Sequence, residues 1–282
     1  MTGTSARDAA VATRHVTIAR CRYGPMMWLN SDRVIGECLR LYGEFAEGEV
    51  RLLLSLLKPG DVVLDAGAHI GTLAVPLALA VGAQGRVIAF EPQRMSYACL
   101  CANLTMNGLH WAEARRGALG ARARRMRVAR PQPDAQGNWG GAPLVEAADG
   151  DEIELSTVDA LALARLALLK IDVEGMEAEV LKGASRTLKR LRPAVYLEAK
   201  RGAATRASFA RLRAAGYDLY WHFAHFFRKD NWRRNAANRF PDTGDINALA
   251  LAHEKKLAVK LPPVEGESDD WDKAYASFAG RK

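Results

Sequence analysis

One stretch constrains this chain more than any other: Val62-Val63-Leu64-Asp65-Ala66-Gly67-Ala68-His69-Ile70-Gly71-Thr72. A short apolar run ends on an acid, passes two spaced glycines and enters a helical pattern. Such a run, bounded by turn residues, reads as a strand buried on both faces, and a strand feeding directly into a helix opens a strand–helix–strand unit. The helix here is expected over 70–81, with Pro76 tolerated near its first turn. The alternation then repeats. Residues 86–90 form a second strand, Pro92 opens a helix running to about Asn107-Gly108, and a third strand covers 112–118. A strand over 166–171 ends at Asp172, followed by a helix from about 175 to 191. Residues 194–197 form a strand ending at Glu198, followed by a helix over 205–215 closed by Gly216. Residues 217–223 and 246–252 read as two last strands. The second lacks a long helix before it, so it is expected to run antiparallel. The fold class is therefore α/β: a doubly wound sheet, mostly parallel with one antiparallel strand.

The flanks divide the chain into a cap, a core and a tail. Residues 1–57 carry a hairpin over 16–28 and two helices over 33–42 and 48–57, ahead of a main domain over 58–261. Residues 262–282 read as a tail that docks by Trp271, Tyr275 and Phe278. Residues 122–151 hold Pro131, Pro133, Gly137, Gly140, Gly141 and Pro143, the composition of a long irregular insertion, and such loops in compact domains are usually functional lids or disordered. With 282 residues, 49% of them apolar, the chain can bury one sizeable core. No apolar run approaches the ~18 residues of a membrane span, and the N-terminus lacks a secretory pattern, so a cytoplasmic protein is expected. Cys21, Cys38, Cys99 and Cys101 are too few and too scattered for a disulfide framework or a zinc set, and read as reduced thiols. Net charge is +8, with Arg115, Arg116, Arg122, Arg124, Arg125, Arg127 and Arg130 close together. No aromatic residue interleaves them, so a solvated hairpin is the preferred reading over a nucleic-acid surface.

The glycine turn also points to a ligand. Its spacing is Asp-x-Gly-x-x-x-Gly rather than Gly-x-Gly-x-x-Gly, and an acid at the strand end repels phosphates but suits an ammonium or sulfonium. Twenty residues past Gly71, Glu91 ends the second strand, where a carboxylate can accept both ribose hydroxyls. Together they describe a site for an adenosine-type cofactor without phosphates, which is S-adenosylmethionine. An NAD-binding or nucleotide-free α/β domain is the alternative.

These residues resemble the FkbM-type family of S-adenosylmethionine-dependent methyltransferases over nearly the whole chain, from about 22 to 252. Val63-Leu64-Asp65-Ala66-Gly67-Ala68-His69-Ile70-Gly71 is similar to the family's first motif, and Phe90-Glu91-Pro92 to its second. Leu169-Lys170-Ile171-Asp172-Val173-Glu174-Gly175-Met176-Glu177 is similar to its most distinctive one. Leu41-Tyr42-Gly43-Glu44, Asn138-Trp139-Gly140-Gly141, Tyr220-Trp221-His222 and Asp230-Asn231-Trp232 suggest a subgroup. His69 departs from the pattern, standing where Asn is expected. The resemblance implies a Rossmann-like class I methyltransferase sheet. It assigns Asp65, Gly67, Ala68, His69, Gly71, Thr72 and Glu91 to the cofactor, Glu44 to its methionine amino group, and Gly117 and Ala118 to its adenine.

Methyl transfer to a hydroxyl requires in-line alignment and a group that removes the proton. Open α/β sheets bind ligands beyond the carboxyl ends of their strands, where Asp65, Glu91, Asp172 and Glu198 are expected to converge. Asp172 is the first choice for the base and His222 the second. Asn138, Trp139, Glu174, Glu198, Asn231 and Trp232 are candidates for the acceptor side, and no spacing of His, Asp and Glu asks for a metal. The expected acceptor is a small molecule, a sugar unit or natural-product intermediate. Methylation of RNA through the Arg-rich stretch and a catalytically silent cofactor-binding scaffold are the alternatives, and the sequence leaves a homodimer open.

Overall fold

The computed structural model describes residues 10–130, 134–141, 144–257, 259–266, 271–272 and 275–276. The chain starts with an antiparallel sheet of β1 (Val11–Ala12), β2 (Val16–Cys21) and β3 (Gly24–Leu29), then α1 (Ile35–Tyr42) and α2 (Glu47–Ser55). Asp32 starts α1, its Oδ1 accepting the backbone N–H groups of Val34 at 2.9 Å and Ile35 at 3.1 Å. Gly43, at φ +67°, ends it, its N–H donating to the Leu39 carbonyl.

The core alternates β4 (Val62–Ala66), α3 (Ala74–Val81), β5 (Arg86–Phe90), α4 (Arg94–Met106) and β6 (Ala112–Arg115). A side sheet follows, made of β7 (Gly117–Leu119), β8 (Arg124–Val128) and β9 (Asp151–Ser156). The alternation resumes with β10 (Leu168–Ile171), α5 (Glu177–Lys182), α6 (Ser185–Leu191), β11 (Ala194–Glu198), α7 (Ala203–Ala214), β12 (Tyr217–His225) and β13 (Gly244–Ala252). The main sheet has seven strands in the order β12-β13-β11-β10-β4-β5-β6. β13 lies antiparallel to both its neighbours, and the other pairings are parallel. Successive side chains of β4 go to opposite faces: Val63 packs with α2, α3 and α4, while Val62 and Leu64 pack with α5, α6 and α7. Burial on both faces is what continuous apolar strands require, and it makes the sheet doubly wound.

The expected third strand over 112–118 is in fact two. β6 stays in the main sheet as far as Arg115, and the chain then leaves so that β7 pairs parallel with β9. Gly117 permits this, because a Cβ there would stand 2.8 Å from the Glu154 carbonyl oxygen. The stretch expected to be irregular over 122–151 contributes β8, which pairs antiparallel with β9; Pro131, Pro133 and Pro143 lie outside the described residues. The single helix expected over 175–191 is broken at Gly183. A Cβ at Gly183 would run into the Gly120 carbonyl, and the break lets the Asp159 carboxylate accept the N–H groups of Arg186 and Thr187 at the start of α6. The helix after β4 begins at Ala74, four residues later than expected, because His69 and Gly71 hold positive φ in the preceding turn. Pro92 likewise precedes α4 by two residues, with Gln93 at its N-cap. In the tail, Trp271 and Tyr275 pack against Phe223 with ring centroids 6.2 and 5.1 Å away, as expected, and Phe278 lies outside the described residues. No helix among the described residues is long and apolar enough to cross a membrane.

Candidate active site

β4, β5 and β10 end side by side, and beyond their carboxyl ends lies a cavity roofed by the loop after β8 and by the start of α1. The turn after β4 forms its floor. Gly67 has φ +81°, and a Cβ there would collide with the Asp172 carbonyl at the end of β10, so only glycine lets the two strand ends touch. His69 also sits in left-handed backbone, φ +49°. That region favours asparagine among larger residues, which gives a physical reason for expecting Asn there. Burial holds the His69 imidazole neutral, its pKa pushed down to about 3.

Glu91 lines the cavity with both oxygens already aligned: Oε2 accepts the His69 N–H and Oε1 the Gln93 N–H, each at 2.8 Å. Burial pushes its pKa up to about 7 against those two donors. Each oxygen keeps a further lone pair for a donor in the cavity, which suits a ribose diol. Gly117 and Ala118 line the cavity beside it, as do Gly67, Ala68, His69 and Thr72. Gly71 does not. It lies beneath the turn, where a Cβ would meet Leu100 at 2.8 Å, so its role is to let the turn pack on α4.

Asp65 is fully buried and also off the wall. The register of β4 and β10 sets it opposite Lys170, whose Nζ stands 3.2 Å from Asp65 Oδ1 and 3.6 Å from Asp172 Oδ2 and donates to the Gly67 carbonyl at 2.6 Å. Burial alone would lower the Lys170 pKa, but Asp65, Asp172 and Glu49 hold it above its ordinary value. The acid read as facing a cationic ligand is thus neutralised inside the protein, and it shapes the turn through Lys170.

On the acceptor side, Asp172 reaches the cavity with its side chain 40% exposed, next to Glu174 and Glu198. Glu174 has φ +54°, a strained conformation for a residue with a Cβ, and Gly175 follows at φ +97°. This turn aims the Glu174 carboxylate at Lys200, 2.6 Å away, and Lys200 also meets Glu198 at 2.8 Å. Burial, reinforced by Asp172 and Glu174, pushes Glu198 up to about 8. The sequence spacing asked for no metal, yet the fold brings oxygens of Asp172, Glu174 and Glu198 within 4.8 Å of one another. The Lys200 ammonium already supplies a cation there. Asn138 and Trp139 line the opposite wall, and their loop is tied to the cap by the Arg33 N–H, which donates to the Gly137 carbonyl at 2.9 Å.

Besides Gly71 and Asp65, four further expected residues stand off the cavity wall. His222 is buried in β12 with Nδ1 2.7 Å from the Tyr196 hydroxyl, and burial pushes its pKa down to about 4, so it has neither the access nor the basicity of a catalytic base. Glu44 Oε2 accepts from Arg22 Nε and from the Trp232 backbone N–H, both at 2.7 Å, which ties the hairpin to the late loop away from the cavity. Asn231 braces that loop through the Arg228 and Asn235 carbonyls, and the Trp232 ring lies under Arg233. Conversely, Glu49, Lys170, Lys200 and Asp245 line the cavity without having been singled out. Lys170 carried a signal, a lysine inside an apolar strand run. So did Glu49, which shares the buried helical spacing of Leu52 and Leu53.

A seven-stranded sheet in this order, its last strand antiparallel, with a glycine turn after the central strand and an acid ending the next, is a class I S-adenosylmethionine-dependent methyltransferase. The sequence profile of the methyltransferase FkbM domain matches residues 65–219, over half of the chain, and the chain belongs to this family. Among solved structures, it is similar to methyltransferase FkbM from Methylobacillus flagellatus KT (18% identity, 70% of this chain, 45% of that one, TM-score 0.46). It is also similar to cofactor-bound Rv0187 from MTB (18%, 73% and 79%, 0.41) and to the SAM-dependent O-methyltransferase TM0748 from Thermotoga maritima (14%, 89% and 88%, 0.45). The chain thus spans under half of the Methylobacillus flagellatus protein. No curated protein matches its sequence. S-adenosylmethionine is the cofactor of this fold and family, and the residues present fit it: a bare glycine turn, an aligned diol acceptor in Glu91, and a buried acid, Glu49, whose side chain has no hydrogen-bond or ion-pair partner among the described residues.

Proposed function

We propose that this protein is a cytoplasmic O-methyltransferase acting on a hydroxyl of a small molecule, a sugar unit or natural-product intermediate. The observation that carries this reading is the placement of Asp172: a partly exposed carboxylate in the same cavity as the cofactor turn, its backbone in contact with Gly67. The cofactor supplies a methyl group on a sulfonium. Gly67 and Glu91 would hold the nucleoside part of that group, and Trp139 and Asn138, which also line the cavity, would limit water there. Asp172 would accept the proton of an acceptor hydroxyl during transfer of that methyl. Lys170, 3.6 Å away, forms an ion pair with Asp172 from the β10 side.

A small acceptor is favoured over RNA by the state of the arginines. Arg116 and Arg130 both pair with Asp151, Arg124 pairs with Glu146, and Arg125 pairs with Glu152 and Glu154, so the cluster is largely offset by its own sheet. The test is release of S-adenosylhomocysteine from radiolabelled S-adenosylmethionine across a panel of free sugars, glycosides and polyketide alcohols. The wild type is expected to methylate members of that panel. Asp172→Asn should bind S-adenosylhomocysteine as tightly as the wild type while turnover falls at least ~100-fold, the scale of a lost general base. Undiminished turnover would remove Asp172 from the chemistry.

A further inference from the structure

We propose that Glu49, on the first turn of α2, receives the methionine ammonium of S-adenosylmethionine. This rests on the cofactor reading above and adds a residue that neither the motifs nor the family match assigns. Glu49 is 5% exposed and lines the cavity, yet its carboxylate has no hydrogen-bond or ion-pair partner among the described residues. The other acids on that wall are differently placed. Glu91 accepts two backbone N–H groups, Asp172 has Lys170, Glu174 and Glu198 share Lys200, and Asp245 is partly open to solvent. A buried carboxylate left alone is costly, and burial pushes the Glu49 pKa well above its ordinary value, with Asp245 adding to the effect. Such a group either holds a proton or awaits a cation.

Position decides which cation. Glu91, at the end of β5, marks the ribose end of the cavity, and the Gly67 turn at the end of β4 lies between it and the end of β10. Glu49 lies on α2, which packs against β12 on the side of the sheet away from β5, and the charges of Asp245, Lys170, Asp172 and Asp65 act on it. An amino-acid chain leading away from a ribose held at Glu91 therefore ends beside it. A sulfonium has no N–H to donate, and a carboxylate would be repelled, whereas an ammonium offers three donors. Glu44, the residue implied by resemblance, is already committed to Arg22 and the Trp232 N–H.

The experiment is calorimetric titration of the full chain with two probes, S-adenosylhomocysteine and 5′-methylthioadenosine, which shares the nucleoside but lacks the amino-acid part. Glu49→Gln is expected to weaken S-adenosylhomocysteine roughly 10- to 100-fold, the worth of a hydrogen bond to a charged group, and to leave 5′-methylthioadenosine within about twofold. Glu49→Asp, which keeps the charge on a shorter stem, should show a smaller loss confined to the same probe, and it serves if the glutamine variant does not fold. Equal weakening of both probes would make Glu49 a structural residue and overturn the proposal. So would no weakening of either, or loss of discrimination in Glu44→Gln instead. A wild type that binds neither probe would refute the cofactor reading itself, a result distinct from these.

Discussion

Replacing Lys170 by methionine, a side chain of similar length without charge, is expected to destabilise the protein by about 3–5 kcal/mol at pH 7.5. Lys170 is 3% exposed and Asp65 is fully buried, so little of their charge reaches water. Removing one member of such a pair strands the other, and broken buried pairs typically cost about 3–5 kcal/mol. An upper limit follows from protonation. Asp65 can escape its buried charge by taking up a proton, at about 1.4 kcal/mol for each pH unit above an unfolded-state pKa near 3.9, hence about 5 kcal/mol at pH 7.5. That escape gives the variant a pH signature. In the variant, the folded-state pKa of Asp65 lies far above its unfolded value, so the folded form binds the extra proton. The deficit is then smallest in mild acid and grows as pH rises, by about 2–3 kcal/mol between pH 5.5 and 7.5. Urea unfolding with fixed m-value reads both quantities. Asp65→Asn added to Lys170→Met removes the stranded charge and should recover at least ~2 kcal/mol, as expected for coupled neighbours. A single variant within about 1 kcal/mol of wild type, or a double variant no more stable than the single, would refute the view that this pair holds the β4 and β10 ends together.

Gly67→Ala places a methyl against the Asp172 carbonyl in positive-φ backbone, and is expected to cost about 3 kcal/mol or more and to abolish binding of S-adenosylhomocysteine; normal affinity by calorimetry would contradict the assigned turn. His222 is held neutral with a pKa near 4, so unfolding takes up a proton between about pH 4 and 6.5 and the wild type loses stability as pH falls through that window. Relative to the wild type, His222→Phe should therefore gain about 2 kcal/mol on going from pH 7.5 to 5 in urea unfolding, a shift that would be missing if His222 were solvated and free to ionise. Because Arg124, Arg125 and Arg130 are paired with acids, affinity for transfer RNA should be weak; a logarithmic salt slope steeper than about −5 in a filter-binding series would return RNA to consideration.

What could be read from the sequence was what local backbone geometry imposes. Gly67 needs positive φ wherever this chain folds, β4 and β10 are apolar because both faces are covered, and a strand with no helix before it was free to run antiparallel, as β13 does. What escaped depends on which strands become neighbours. Asp65 read as facing a ligand because its answering lysine is 105 positions away and reaches it only through the parallel register of β4 with β10. The same blindness promoted His222, whose burial against Tyr196 requires knowing that β13 inserts between β11 and β12. Glu44, which the resemblance implied for the methionine amino group, is held by Arg22 and the Trp232 N–H, two partners that lie 22 and 188 positions away and are invisible in the sequence. In each case the residue's type was visible and its partner was not, and for a buried charge the partner decides the role. Within the cavity, Lys170 pairs with Asp65 and Asp172 and Lys200 with Glu174 and Glu198, while Glu49 and Asp245 have no ion pair among the described residues. The ammonium proposed for Glu49 would offset part of that excess negative charge.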